Sequence, residues 1–161
     1  MFTEYFNRDC IFLHGHGLGG AVGCYMAEKN PKLFKGLILE NTFTSIPDLF
    51  EDASSYFLRK FIWLLIRVNW DSKSIVKNLE LPILYFHGEK DKTIPYSHTL
   101  RLHGISTKAK FCQKHIFPEA NHISAWVVEH VKYFTKLGDF IRKCISIAKK
   151  PPIPLSKYEH K

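Results

Sequence analysis

Cysteine is sparse in this sequence, and its four residues (Cys10, Cys24, Cys112 and Cys144) show no close pairing pattern. Small secreted domains that depend on disulfides carry more cysteines at regular spacings. The pattern therefore excludes a disulfide framework and predicts free thiols in a reducing, intracellular compartment. Cys24 falls within a predicted helix, where we expect a buried structural thiol.

Long hydrophobic runs are also lacking. The most apolar stretch spans only residues 61–66, whereas a transmembrane helix needs about 20 apolar residues. Residues 1–4 lack the basic start and apolar run of a secretory signal. Arg59, Lys60 and Arg67 lie near one face of a predicted helix, so contact with a membrane surface stays an alternative to the packing against the domain that we expect.

Acidic residues are outnumbered, with 15 Asp and Glu against 23 Lys and Arg, for a formal net charge of +8. No nucleic-acid-binding motif accompanies this excess, so it predicts a solvated basic surface and no nucleic-acid partner. A chain of 161 residues with 45% hydrophobic side chains predicts a single folded domain. We assign that domain to residues 1–148 and predict a flexible basic tail with several prolines at 149–161.

What the sequence does contain is a glycine-rich turn between an apolar strand and a helix. Residues 15–19 read Gly-His-Gly-Leu-Gly, between a strand predicted at 10–14 and a helix predicted at 19–28. This is the pattern Gly-x-Ser-x-Gly of a nucleophile elbow, a sharp turn that exposes its central residue above a sheet. Gly17 stands where the serine would be.

A nucleotide-binding turn is the alternative for the same segment. Gly15, Gly17 and Gly20 match the spacing Gly-x-Gly-x-x-Gly, and Glu40 lies near the acidic position of that fingerprint. The turn alone leaves both interpretations open, and the rest of the chain must decide between them.

Three more strands are predicted at residues 36–40, 82–87 and 110–117, and the last alternates in polarity like an edge strand. A long helix is predicted at about 124–148. Its apolar positions at helical spacing are Val127, Val131, Phe134, Leu137, Ile141 and Ile145. The predicted fold class is α/β, with a mostly parallel sheet of about four strands, flanking helices and a short cap insertion at about 48–80.

Asp91 follows the third predicted strand and His122 follows the fourth. A nucleophile position, an acid and a histidine in this chain order are typical of α/β-hydrolases. The carboxyl ends of neighbouring parallel strands would bring the two side chains together. An Asp in a turn and a His before a helix are also common for structural reasons. In this order we favour an acid–histidine pair.

Residues 15–20 resemble the Gly-His-Ser-Leu-Gly-Gly elbow of lipases and esterases, with one substitution. Residues 40–47 and the segments around Asp91 and His122 resemble one branch of the α/β-hydrolase superfamily. That branch contains alpha/beta hydrolase domain-containing protein 13 and the yeast bud-emergence-type serine hydrolases. The resemblance spans roughly residues 8–148. It implies a serine hydrolase of ester, thioester or amide bonds that acts on a small-molecule acyl substrate and needs no cofactor.

The resemblance also implies roles for individual residues and two departures from the family. Asp91 and His122 would be the acid and base, and the amide of Leu18 one oxyanion-hole donor. Gly17 cannot act as the nucleophile, and family members carry a long segment before the elbow that supplies half of the sheet, the second oxyanion donor and often a membrane anchor. We therefore expect the inactive C-terminal half of a hydrolase fold. The alternatives are a non-catalytic binding protein and a fragment of a longer active enzyme.

In such a half-fold, residues 11–13 would form an edge strand that invites self-association. Four histidines, His14, His16, His87 and His122, could gather above the sheet. Neither His-Glu-x-x-His nor a paired Cys-x-x-Cys is present, so we expect structural roles and no bound metal. His16 in particular is expected to be a scaffold residue.

Overall fold

The computed structural model describes residues 10–52 and 69–148. The predicted basic helix at 59–67, the rest of the cap insertion over 53–68 and the predicted tail at 149–161 lie outside the described residues. The elements in chain order are β1 (Phe12–His16), α1 (Leu18–Lys29), β2 (Gly36–Glu40), α2 (Ile46–Glu51), α3 (Ser72–Val76), β3 (Ile83–Gly88), α4 (Ser97–Ile105), β4 (Cys112–Phe117), α5 (Ala125–Val128) and α6 (His130–Ala148).

The four strands form one parallel sheet in the order β1-β2-β3-β4. In register, Leu13 lies beside Leu37, and Ile38 lies beside Leu84. Parallel neighbours need a crossover connection, and the intervening helices supply it. The predicted α/β class and the four-stranded parallel sheet are confirmed.

The two central strands are buried on both faces, as parallel strands usually are. Leu37 and Tyr85 pack on one face against α1, α3 and α4. Ile38 and Phe86 pack on the other face against α5 and α6. Because successive side chains of a strand point to opposite faces, each strand contributes to two apolar cores.

The first strand lies slightly later in the chain than predicted, and the first helix extends one residue beyond the predicted 19–28 at each end. The strand was expected at 10–14, but β1 runs to His16 and the backbone N–H of Gly17 still donates to Glu40 O at 2.9 Å. Helix α1 ends at Lys29 and is capped by Asn30, whose side-chain amide donates to Met26 O at 3.1 Å. The strand therefore continues into the glycine-rich turn itself. Cys24 of α1 is fully buried, and this burial raises the pKa of its thiol to about 12.

The single helix predicted at 124–148 is wrong in one respect, because it is broken at Glu129. The carboxylate of Glu129 accepts the backbone N–H of Glu119 and pairs with Lys132, and its ψ of 42° leaves the helical range. Periodicity could not reveal this tie to the loop after β4.

The break also changes the buried face of α6. Of the apolar positions at helical spacing, Val127 in α5 and Val131 and Phe134 in α6 are 55, 69 and 56% exposed. The buried positions of α6 are Tyr133, Phe140 and Cys144, with Leu137 and Ile141 partly buried beside them. No helix within the described residues is long and apolar enough to span a bilayer.

A buried histidine joins α2 to α4. Nδ1 of His98 accepts the backbone N–H and the hydroxyl of Thr44 at 3.3 and 2.9 Å, and its Nε2 lies 3.2 Å from a carboxylate oxygen of Asp52. Burial, together with the neighbouring Arg101 guanidinium, lowers the pKa of His98 to about 4. The ring is therefore neutral in the folded protein at neutral pH.

We predict that His98 makes the protein acid-sensitive. An unfolded histidine has a pKa of about 6.5, so between about pH 6.5 and 4 the unfolded state binds the extra proton. The free energy of unfolding therefore falls as the pH falls through this range, by up to about 1.4 kcal/mol per unit. His98→Gln should lose stability at pH 7 and show a shallower decline in urea unfolding between pH 6.5 and 4. His130→Gln, at an exposed position, is the control and should follow the parent. An unchanged slope in His98→Gln would contradict the assignment.

Candidate functional site

The site is built at the carboxyl ends of three strands. Gly17 follows β1, Asp91 follows β3, and His122 follows β4. Ligands and reactive groups of open parallel sheets lie at this edge. The structure brings together these three sequence-predicted residues, and Leu18 begins α1 directly beside them, with an amide that has no acceptor inside the helix.

Gly17 occupies a sharp turn between β1 and α1. Its backbone has φ 54° and ψ −120°, in the region that L-residues with side chains rarely adopt. Its carbonyl accepts the Thr42 hydroxyl at 2.7 Å and the Gly20 N–H at 3.1 Å. A side chain on Gly15 would collide with the backbone of Gly19. The conformation of the turn is therefore fixed by the hydrogen bonds to the Gly17 carbonyl and by the close approach of β1 and α1.

Asp91 and His122 form a close pair. His122 Nδ1 donates to Asp91 Oδ2 at 2.7 Å, and the Asp91 side chain is fully buried. The other carboxylate oxygen accepts the backbone N–H groups of Thr93 and Ile94 at 2.7 and 2.9 Å. Asp91 thus has a fixed orientation, and its bond to Nδ1 leaves Nε2 as the free ring nitrogen of His122.

The free nitrogen faces the turn. A Cβ atom built on Gly17 would lie 3.5 Å from His122 Nε2, which is ordinary van der Waals contact. The His122 side chain is one-quarter exposed, so the ring is partly accessible to solvent. One further atom on that Cβ would come within hydrogen-bonding reach of Nε2.

Sequence reasoning missed a residue next to β2 that fixes the His122 loop by hydrogen bonding. Asn41, at the end of β2, donates from Nδ2 to His122 O at 2.5 Å, and its Oδ1 accepts the Gly88 N–H at 2.8 Å. His16 of β1, which we expect from the sequence to be a scaffold residue, also donates to His122 O, at 2.6 Å. The available signal was the polar residues Asn41, Thr42, Thr44 and Ser45, which come directly after a buried strand, since buried polar groups must find partners.

The four histidines do not form one cluster. His14 Nε2 bonds Glu40 at 2.9 Å, while His87 is buried between Thr99 and Ile94, at 2.8 and 3.0 Å. Burial lowers the pKa of His87. Within residues 10–52 and 69–148, no group of three or more His, Cys, Asp or Glu side chains is arranged to hold a metal ion.

The carboxylate of Glu40 is hydrogen-bonded within the protein. Its buried carboxylate accepts His14 Nε2 at 2.9 Å and the Tyr133 hydroxyl at 2.7 Å. Burial acts to raise the pKa of Glu40, but these hydrogen bonds outweigh it and hold the pKa below its usual value. The carboxylate is therefore not presented to a ribose, as the nucleotide-binding alternative requires.

Comparison with known families decides the relationship. Residues 2–148 match the Prolyl oligopeptidase family, Peptidase_S9. The chain belongs to this family. The predicted membership of the α/β-hydrolase superfamily is thereby confirmed, and the four-stranded sheet of this prolyl oligopeptidase family member is part of the α/β-hydrolase fold.

Two curated relatives are similar in sequence. Protein bem46 of Schizosaccharomyces pombe is 33% identical over 141 residues, which cover 84% of this chain and 44% of that protein. Alpha/beta hydrolase domain-containing protein WAV2 of Arabidopsis thaliana is 28% identical over 144 residues, which cover 83% of this chain and 47% of that protein. The chain spans about half the length of the curated relatives it matches.

Solved structures agree on the fold. Est1E from Butyrivibrio proteoclasticus superposes with a TM-score of 0.64 at 17% identity, covering 84% of this chain and 62% of that one. The acylaminoacyl peptidase of Pyrococcus horikoshii superposes with a TM-score of 0.62 at 17% identity, covering 83% and 24%. At this identity the likeness establishes the fold alone.

We predict opposite effects of alanine at two neighbouring glycines. Gly17→Ala should lower the free energy of unfolding by about 1–3 kcal/mol, because a side chain must then adopt a positive φ. Gly19→Ala should raise it by up to about 1 kcal/mol, because a Cβ there meets nothing within 4 Å and alanine favours the helix. Urea unfolding of both variants checks this. Equal effects would show that the turn is not strained.

Proposed function

We propose that this chain carries the acid and the base of a serine hydrolase, Asp91 and His122, around a nucleophile position that Gly17 leaves empty. The observation that carries the proposal is the 3.5 Å between His122 Nε2 and a Cβ atom on Gly17. The nucleophile of an acyl-transfer triad needs this placement, because its hydroxyl must give its proton to the free nitrogen of the base. The bond from His122 Nδ1 to Asp91 would orient the ring for that role.

Glycine has no atom with which to attack an acyl carbon. Without the serine hydroxyl, no acyl-enzyme forms, and His122 could only draw a proton from water. The Leu18 amide, the first of α1, supports the oxyanion side of the same proposal. The substrate class that fits is a small-molecule ester, thioester or amide, but as a serine hydrolase this chain is catalytically inactive.

We predict that the chain is not labelled by a fluorophosphonate probe, because labelling requires an activated serine. Gly17→Ser restores the hydroxyl, and within the described residues we assign one oxyanion donor to it, the amide of Leu18; a site with one such donor fewer loses about 3–4 kcal/mol. The turnover of a p-nitrophenyl ester by this variant should therefore stay about 10²–10³-fold below that of an active family enzyme. Gly17→Ser with His122→Ala is the matched control and should lose even this turnover. Heat-sensitive labelling of the parent would disprove inactivity.

A second candidate function is binding, and the edge of the sheet favours it. Within the described residues, β1 hydrogen-bonds to β2 alone. Leu13 packs against one core and Phe12 against the other, so both faces of the strand are apolar. An edge strand of this kind offers its free amides and carbonyls to another strand.

An apolar groove of about 440 Å³ runs beside this edge. Ile123, Trp126 and Phe134 line it and are each more than half exposed. Apolar surface of this kind marks association sites. We propose that a second copy of this chain covers the groove and the β1 edge, through residues 11–13.

We predict that the parent chain is a dimer or larger assembly in light scattering. Trp126→Glu combined with Phe134→Glu should shift it towards the 18.8 kDa monomer, because two charges then face the apolar partner surface. Leu100→Glu, at an exposed position on α4, is the control and should leave the assembly intact. A parent that is a compact monomer with a cooperative thermal transition would refute self-association.

A further inference from the structure

One short segment touches every loop of the site. The backbone that leaves β2, residues 40–44 (the β2-exit segment), bonds the Gly17 turn through Glu40 O and Thr42 Oγ1. It also bonds the end of β3 and the His122 loop through the side chain of Asn41. These hydrogen bonds come from Glu40, Asn41 and Thr42, so the segment holds the loops of the site without bonding to the side chains of Asp91 and His122.

Asn41 is the centre of this segment. It is fully buried, and both ends of its amide are used: Oδ1 accepts Gly88 N–H at 2.8 Å, and Nδ2 donates to His122 O at 2.5 Å. Its backbone N–H donates to Phe86 O at 3.0 Å. One side chain therefore ties the end of β3, which leads to Asp91, to the loop that carries His122.

The backbone of Asn41 is also unusual, with φ 45°. Asparagine tolerates this left-handed region better than most residues, but a side chain still makes it unfavourable. Strained residues of this kind persist where the surroundings demand them, often at functional sites. Here the strained conformation aims the amide between the Asp91 loop and the His122 loop, which the bond from Lys90 N–H to Ala120 O also joins.

We propose that Asn41 is a positioning residue that sets the height of the His122 ring above residue 17. Within the described residues, the ring is hydrogen-bonded through Nδ1 alone, to Asp91, so its distance from the turn depends on where its backbone is held. Asn41 and His16 hold that backbone by donating to the same carbonyl. This inference rests on the proposed function, since it concerns the spacing of the same three residues.

A thiol introduced at position 17 reports that spacing without any need for catalysis. In Gly17→Cys, the sulfur would face His122 Nε2, and a neighbouring imidazolium lowers the pKa of a thiol below its usual value of about 8.5. The pKa is read from the rate of iodoacetamide alkylation against pH, resolved by mass spectrometry of the peptide that contains position 17. His122→Ala in the same background should raise the thiol pKa towards the usual value of about 8.5, and what lowering then remains comes from the N-terminus of α1 beside position 17.

Asn41→Gly in the Gly17→Cys background is the decisive variant. Glycine adopts the positive φ freely, so the fold loses the amide without a backbone penalty. We expect the pKa of the introduced thiol to rise by about one unit or more, since a charged neighbour within a few ångströms shifts a pKa by about 1–3 units. Asn41→Ser is polar, but its side chain is too short to reach both partners, so it should give the same rise in the thiol pKa. It replaces Asn41→Gly in the test if that variant shows no cooperative thermal transition.

Asn30→Gly is the matched control, because Asn30 also donates its amide to a backbone carbonyl, at the far end of α1. It should leave the thiol pKa unchanged. An unchanged pKa in both Asn41 variants, beside a lowered pKa in Gly17→Cys itself, would overturn the positioning role and leave the proposed function standing. An ordinary thiol pKa in Gly17→Cys would overturn both.

Discussion

The close approach of helix α1 to strand β1 is the constraint on which the site depends. The two elements meet so tightly at the turn that a side chain on Gly15 would collide with Gly19, and one on Gly20 would collide with Thr42. The chain can make this turn only if residue 17 takes a positive φ and stands above the sheet. Because Thr42 donates to the Gly17 carbonyl, the turn is also linked to β2. The position of residue 17 is thus determined by backbone packing and does not depend on its side chain.

Asp91 and His122 also stabilise the loops around this turn, because each accepts hydrogen bonds from neighbouring segments. Asp91 accepts two backbone N–H groups besides His122, and the His122 carbonyl accepts two side-chain donors. A buried carboxylate or carbonyl that lost these partners would cost free energy. We infer that the pair contributes to stability whether or not a nucleophile is present. This accounts for a chain that has glycine at position 17 and still holds Asp91 and His122 in a hydrogen-bonded pair.

The fold and the three central residues of the site could be predicted because their signals are local or follow chain order. The apolar strands, the glycine-rich turn, and the sequence from Gly17 to Asp91 to His122 are all visible without a structure. The break at Glu129 was missed because it depends on contacts with a distant loop and with Lys132. The role of Asn41 was missed for the same reason: its partners lie 47 and 81 residues away. Hydrophobic periodicity carries no record of such hydrogen bonds.

The central claim is that Asp91 and His122 form an assembled pair, with the His122 proton on Nδ1 and Nε2 directed at the Gly17 turn. The most direct measurement is the ¹H–¹⁵N NMR spectrum of the imidazole ring of His122 in the intact chain. The account predicts a downfield proton on Nδ1, protected from exchange by its bond to the buried carboxylate and lost in Asp91→Ala. A His122 proton found on Nε2, or an Nδ1 signal that Asp91→Ala leaves unchanged, would contradict it.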